Sequence, residues 1–240
     1  MSLRPSIKNW DNKTWLSSFK YIQNFNKFLS KNQRLNQSSI ILDIGCGRGK
    51  ILGHLSSKLK LKKKPIGLDI VNHKDKNKKM IFKKIDGSSF LSSTKKTFDL
   101  ILIKQTIHLL KNNQIQKLLK LCKKKLNLDG KILILSLDPK NNELPTFLLM
   151  KQKLQRSLKK DKKIFDLIIK SNPKTIIKKL IFNVKISKKK YIEMIEKRYI
   201  STLLNFTDKQ ILNGQREINL RYNKDLRFND KLICLILKNN

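Results

Sequence analysis

Ile41-Leu42-Asp43-Ile44-Gly45-Cys46-Gly47-Arg48-Gly49-Lys50 (41–50) is the stretch on which the reading of this 240-residue chain turns. The apolar run Ser39–Ile44 stops at a glycine, as a buried strand does. Three of the chain's eight glycines then fall within five residues. Where glycine is this rare, such clustering implies a backbone requirement: a tight strand-to-helix turn that a ligand approaches too closely for a Cβ. A glycine turn can also end a buried strand with no ligand near it, so the surrounding segments have to decide.

Outward from the turn, the same theme repeats. A helix is expected near 49–60, strands at Pro65–Ile70, Met80–Ile85 and Phe98–Ile103, a helix at 112–126, and a strand at Lys131–Leu137. Strands alternating with helices mean a parallel sheet covered on both faces. Before the turn, Trp15, Phe19, Ile22, Phe25 and Leu29 recur at steps of three and four, an amphipathic helix. Beyond Asp138-Pro139 come Lys-rich helical stretches (Phe147–Leu158, then Ile164–Ile169) and a strand around Ile181–Ile186. A helix from Lys189 to about Leu204 then leads through 208–220 to a last strand, Asp230–Leu237. No internal repeat and no Gly/Ser linker divides the chain.

A glycine turn opening a helix, followed by an acid at the end of the second strand, is nucleotide-type recognition at the carboxyl edge of a parallel sheet. Asp69 is that acid, twenty residues after Gly49, and a carboxylate there can accept both hydrogen bonds of a ribose diol. The spacing is GxGxG, with Lys50 where the third glycine of a dinucleotide fingerprint would stand, and no GxxxxGK[ST] loop is present. Asp43, just ahead of the glycines, would repel a phosphate and suits the amino-acid end of a sulfonium cofactor.

The net charge of +38, from 55 Lys and Arg against 17 Asp and Glu, by itself suggests a polyanionic partner. The rest of the composition redirects that inference. The chain has no Ala, 2 Val and 4 Glu against 47 Lys and 22 Asn, so residues with codons beginning in G are depleted and those with A-rich codons abound. The excess is spread along the chain and is read as solvated surface, with one concentration of +13 in 151–200. Cys46, Cys122 and Cys234 are odd in number and lack CxxC spacing, so neither a zinc site nor a disulfide framework is indicated, and no metal site is expected. The first residues lack the apolar core of a signal peptide, and no long uncharged apolar run suggests a membrane span, so a cytoplasmic protein is expected.

Taken in order, ILDIGCGRGK (41–50), PIGLDI (65–70), IDGSSF (85–90), FDLILIKQTIHLL (98–110) and LNLDGKILI (126–134) resemble the class I S-adenosylmethionine-dependent methyltransferases. Among these they are similar to the small-molecule group that includes ubiquinone and menaquinone biosynthesis enzymes. The resemblance implies an α/β fold: a Rossmann-like, seven-stranded, mostly parallel sheet with helices on both faces, an N-terminal helix and a helical lid insertion. The chain would then divide into an N-terminal helical segment (1–38), a cofactor-binding core (39–138), a lid over the acceptor pocket (139–190), and a final helix and strand completing the sheet (191–240).

By the same resemblance Asp43, Gly45, Cys46, Gly47 and Gly49 would line the methionine end of S-adenosylmethionine, and Asp69 would hold the ribose. Ile70 would pack on the adenine, Asp86 and Gly87 would contact its edge, and Lys104 and Gln105 would close the pocket beside the reactive methyl. Gly130, read as the turn between a helix and the fifth strand, and Asp99, read as a strand-start residue, receive no ligand.

His108 is the candidate general base, standing where the family has the first His of a His-rich stretch, with Leu109 replacing the second. Methyl transfer from a sulfonium mostly needs positioning, with a base only if the acceptor must lose a proton. Trp10, Trp15 and Tyr21 either fold over the cofactor and acceptor or pack on the sheet edge, and Arg198 and Tyr199 either face the pocket or belong to a solvated helix. The expected activity is methylation of a small-molecule acceptor, an anionic one if the charge of 151–200 lines the mouth. The alternatives are an RNA methyltransferase, for which no NPPY-type motif is present, and a non-catalytic protein that binds S-adenosylmethionine.

Overall fold

Ile41–Ile44 form strand β1, all four residues of which are buried, and the sheet is built outward from it. The computed structural model describes residues 14–222 and 225–239. Strand β2 (Ile66–Asp69) runs parallel to β1 on one side, with β3 (Ile81–Lys84) beyond it. Strand β4 (Phe98–Lys104) runs parallel on the other side, followed by β5 (Leu126–Leu137). The last two strands, β6 (Ile176–Ser187) and β7 (Asp225–Lys238), pair antiparallel, and β7 is antiparallel to β5. The order is β3-β2-β1-β4-β5-β7-β6, the expected seven-stranded, mostly parallel sheet. Because the chain leaves β1 toward β2 on one side and returns to β4 on the other, the loops after β1 and β4 part over a crevice at the carboxyl edge.

Both faces of the central strands β1 and β4 are covered, which is why β4 carries the uninterrupted run Leu100–Ile103, every residue of it buried. Helices α1 (Phe19–Asn32) and α2 (Lys50–Leu59) lay Phe25, Leu29, Leu52 and Leu55 on one face, against Leu100, Leu102, Leu133 and Leu135. Helices α3 (Gly87–Ser93) and α4 (Asn112–Lys124) lay Phe90, Leu91, Ile115, Leu118 and Cys122 on the other, against Leu42, Ile44, Ile101, Ile103 and Ile134. Fully burying one such leucine or isoleucine stabilises the fold by about 1.5–3 kcal/mol.

The second half departs from expectation in ways that have local causes. The two Lys-rich stretches are one helix, α5 (Leu148–Ser171), with Met150, Leu154, Leu158, Ile164, Phe165 and Ile168 buried. What breaks the apolar spacing is Asp161, a buried acid in a core-facing position, whose carboxyl burial pushes up to about 6. The helix expected from Lys189 to Leu204 stops early: α6 spans Lys188–Glu196, and Arg198 takes a φ of 50° that turns the chain. A further helix, α7 (Asp208–Arg221), then packs against α6.

Strand β6 and the lower part of α5, which lies on the α4 face, therefore fall within 139–190, the range assigned to a lid. The added helices, α6 and α7, stand between β6 and β7. Gly130 lies inside β5, beside a register shift opposite Phe98 and Leu100, where a Cβ would come within 2.6 Å of the Phe98 carbonyl; it is not a helix-to-strand turn. Asp99 accepts from the Ile40 amide at 2.6 Å and the Asn127 side chain at 2.6 Å, a tie between strand starts. Among the described residues no helix is long and apolar enough to cross a membrane.

Candidate functional site

The crevice begins with the glycine turn. The amides of Gly45 and Cys46 both donate to the Leu68 carbonyl, at 2.8 and 2.9 Å, pinning the turn to β2. Gly45, Gly47 and Gly49 all have positive φ (79°, 55° and 69°), a region costly for residues with a Cβ. Their surroundings differ. A Cβ on Gly45 would overlap the Thr106 side chain and one on Gly49 the Met80 sulfur, whereas one on Gly47 would meet nothing within 4 Å. Gly45 and Gly49 are closed over by protein, and the crest at Gly47 is open. Cys46 turns inward, its sulfur 2.7 Å from where a Cβ on Gly67 would stand, and burial raises its thiol pKa.

Two acids flank the turn. Asp43, at the end of β1, is buried, and its Oδ1 has no hydrogen-bond partner. Burial pushes its carboxyl up to about 7, with Lys104 opposing that shift and Asp69 adding to it. Asp69 accepts from the Gly47 amide through Oδ2 and from the Val71 amide through Oδ1, both at 2.9 Å, so each oxygen retains acceptor capacity. The neighbouring Ile70 is 60% exposed, an apolar side chain held out beside the acid. Buried Arg48 ties the loop after β2 to the turn: its guanidinium lies 2.5 Å from Asp75, and its carbonyl accepts from Asn77 at 2.9 Å.

Asp86 and Gly87 both have structural work of their own. Asp86 caps α3, its Oδ1 accepting from the Ser88 and Ser89 amides at 3.0 Å, and the Ser89 side chain together with these amides holds its carboxyl below the usual range. A Cβ on Gly87 would come within 2.8 Å of Ile44, so its small size lets α3 approach β1.

The far wall is the end of β4. The Lys104 ammonium lies 5.6 Å from the ring centroids of both Tyr21 and Phe25. Gln105 follows with a φ of 54°, a left-handed conformation uncommon for a residue with a side chain and often found at functional sites, its amide held by the Leu135 carbonyl at 2.8 Å. His108 sits in a short turn, Ile107–Leu109, that packs against α5 and β5. Its Nδ1 is buried without a partner, and burial together with Lys160 lowers its pKa, so the ring is neutral at pH 7.

Trp15, Tyr21 and Tyr199 are brought together in the buried layer that includes α1. Trp15 donates from Nε1 to Asp230 at 2.9 Å, and its ring stands 5.3 Å from that of Tyr199. Arg198 is not part of this group: it closes the turn after α6, 2.5 Å from Asp208 and 3.2 Å from the Phe206 carbonyl. Trp10 lies outside the described residues. Asp230 and Tyr191 join the aromatic group without having been singled out from the sequence. For Asp230 a signal existed, an acid leading an apolar strand in a chain with only 17 acids; for Tyr191 there was none.

A family model described as "Methyltransferase domain" matches residues 17–168, more than half of the chain. No curated protein matches by sequence. Among solved structures, the plantazolicin methyltransferase BpumL, in complex with a monoazolic desmethylPZN analog and SAH, aligns with a TM-score of 0.56 at 19% identity, over 99% of this chain and 90% of its own. A protein described as a methyltransferase from an antibiotic biosynthesis pathway of Anabaena variabilis aligns with a TM-score of 0.61 at 12% identity, over 88% of this chain and 96% of its own. At these identities the likeness is one of fold.

Proposed function

Because the chain belongs to the methyltransferase-domain family, we propose that it carries a methyl group from S-adenosylmethionine to a small-molecule acceptor in the crevice between β1 and β4. Family and fold make it a class I, S-adenosylmethionine-dependent methyltransferase; the acceptor class and the residue roles are our reading. The observation that carries the reading is Asp43: a buried carboxyl whose Oδ1 has no hydrogen-bond partner, beside an open glycine crest, is a ready acceptor for an amino-acid ammonium. Asp69 retains acceptor capacity for two ribose hydroxyls, and Ile70 offers an exposed apolar face to the base, whose edge Asp86 and Gly87 would contact.

When bound, the cofactor supplies a methyl group on a positively charged sulfur. The chain's own contribution is binding and orientation: acids for the cationic groups, a rigid turn for the backbone approach, and Lys104 and Gln105 bounding the reaction side. His108, neutral and without a partner at Nδ1, is the group on this edge able to accept a proton if an acceptor must lose one. A small acceptor is favoured over RNA because exposed lysines are spread over the surface and form no stripe confined to the crevice: Lys74, Lys78 and Lys79 lie in the loop after β2, Lys62, Lys63 and Lys64 precede β2 at the opposite edge, and others lie on α4, α5 and β6. BpumL is known in complex with desmethylPZN analogs and SAH. Incubation of a host extract with methyl-labelled cofactor, followed by size fractionation, is expected to place the label in small molecules; label in RNA would overturn the acceptor class.

A pH dependence follows from Asp43. In the free protein its carboxyl holds a proton up to about pH 7, and an ammonium placed beside it favours the ionised form, so binding releases that proton below pH 7. Affinity for S-adenosylhomocysteine is expected to rise by up to about tenfold per pH unit toward pH 7 and then level off. Calorimetric titration in two buffers of different ionisation heat reads the released proton directly. Asp43→Asn is expected to remove both effects, and a flat profile in the unmodified protein would sink the assignment.

A further inference from the structure

The charge inside the crevice runs against the composition of the chain. In a sequence with 55 basic and 17 acidic residues, Asp43 and Asp230 both lie in the field of Lys104, and Asp69 stands near Asp43. The register places Asp43, Lys104 and Asp230 on one face of the sheet. Asp43 is opposite Leu102, two residues before Lys104 on β4, and Lys104 is opposite Leu135, which is opposite Cys234, four residues after Asp230 on β7. Asp43 and Asp230 share the Lys104 ammonium on this face, while Asp69 lies 3.8 Å from the His73 ring. In the reading above the cofactor's ammonium answers Asp43; burial raises the Asp230 carboxyl, so its ionised form calls for a cation beside it.

That charge has a place to be answered. Asp230 is 3% exposed and accepts one hydrogen bond, from Trp15, although a carboxylate can accept about four. On the same side of the sheet the buried Tyr21 hydroxyl, which feels the Asp230 charge, has no hydrogen-bond partner. The other hydroxyls nearby are used: those of Tyr191 and Tyr199 bond each other at 2.8 Å, and Tyr191 also reaches the Pro145 carbonyl at 2.5 Å. Trp15 stands edge-on to Tyr199 and to Phe228, at 5.3 and 5.2 Å, so the carboxylate and the free hydroxyl sit among aromatic rings. Acid and aromatic faces together suit an organic cation.

We propose that this buried cluster forms the acceptor subsite and that its ligand is an amine, whose ammonium head is held by Asp230 and the Tyr21 hydroxyl beside the ring of Trp15 and passes its proton to the Asp230 carboxylate before the nitrogen lone pair takes the methyl group. The proposal rests on the reading of the crevice as a methyl-transfer site. It replaces the anionic acceptor suggested by the charge of 151–200, whose lysines on α5 and β6 are exposed.

The chain has two tryptophans, so ¹⁵N-labelled protein gives two indole N–H signals, assigned with Trp10→Phe. With S-adenosylhomocysteine saturating, benzylamine is expected to shift the Trp15 signal saturably and to bind about tenfold more tightly than benzyl alcohol or benzoate. Asp230→Asn should weaken benzylamine about tenfold and Tyr21→Phe severalfold, with the affinity for S-adenosylhomocysteine retained. Equal binding of benzoate or benzyl alcohol, no shift of Trp15 with benzylamine, or unchanged benzylamine affinity in the variants would overturn the proposal. If Asp230→Asn does not fold, Tyr21→Phe decides, since it removes a single unpartnered oxygen. Failure of S-adenosylhomocysteine to bind the unmodified protein counts against the methyl-transfer reading instead, and benzylamine titrated alone then tests the aromatic cluster by itself.

Discussion

Asp69→Ala is expected to lower the affinity for S-adenosylhomocysteine by about 10²- to 10⁴-fold, the loss of two hydrogen bonds to a charged acceptor at about 1.5–3 kcal/mol each. The carboxylate has two roles that the substitution removes together. It would receive the ribose hydroxyls, and it already receives the Gly47 and Val71 amides at 2.9 Å, so it holds the crest of the glycine turn and the start of the next loop in place. Asp69→Asn separates these roles. An amide oxygen can still take one backbone N–H, but the charge and one acceptor are gone, so an affinity between those of Ala and Asp is expected. Calorimetric titration gives the affinities, and the melting temperature reports how far the turn itself has loosened. Unchanged affinity in Asp69→Ala would remove the ribose assignment.

The parts of the molecule legible in the sequence are those in which local pattern and tertiary role agree. β1, β2 and β4 are buried on both faces, so they read as short apolar runs, and the glycines after β1 stand out because glycine is otherwise scarce. Legibility fails where a residue serves a distant partner. Asp161 interrupts the apolar spacing of α5 from a buried position, which splits one 24-residue helix into two apparent pieces. β6 is an edge strand whose early residues Ile176 and Ile177 are exposed, so its alternation fades and its first turn of chain is missed.

The same reasoning applies to the site. Asp43 and Asp69 are marked by their spacing from the glycines. Asp230 acquires its meaning only when β7 brings it beside Trp15, 215 residues away in sequence. Arg198 and Tyr199 are adjacent in the chain, yet a φ of 50° at Arg198 sends one side chain to Asp208 and leaves the other buried beside Trp15. Composition likewise describes the surface and misdescribes the crevice, where acids outnumber bases.

Gly45→Ala and Gly47→Ala, two residues apart and both at positive φ, are expected to fail in different ways. At Gly45 the new methyl meets the Thr106 side chain, which is itself fixed by a 2.9 Å hydrogen bond to the Lys104 carbonyl. Left-handed strain of about 1–2 kcal/mol and overpacking of about 1–3 kcal/mol then add, a large part of an ordinary stability of about 5–15 kcal/mol. A fall in melting temperature on the order of 10 °C follows for a domain of this size. At Gly47 the backbone strain remains, but nothing lies within 4 Å of the added methyl, so the loss of stability is expected to stop at about 1–2 kcal/mol. Its effect is instead expected in the crevice, where the methyl stands on the open crest that the cofactor must approach, lowering the affinity for S-adenosylhomocysteine by about tenfold or more. Thermal melts and titrations of the two variants form a crossed pair. A Gly47→Ala protein that binds as tightly as the unmodified one would show that the crest is not the face the cofactor approaches, whatever the melting temperature of Gly45→Ala.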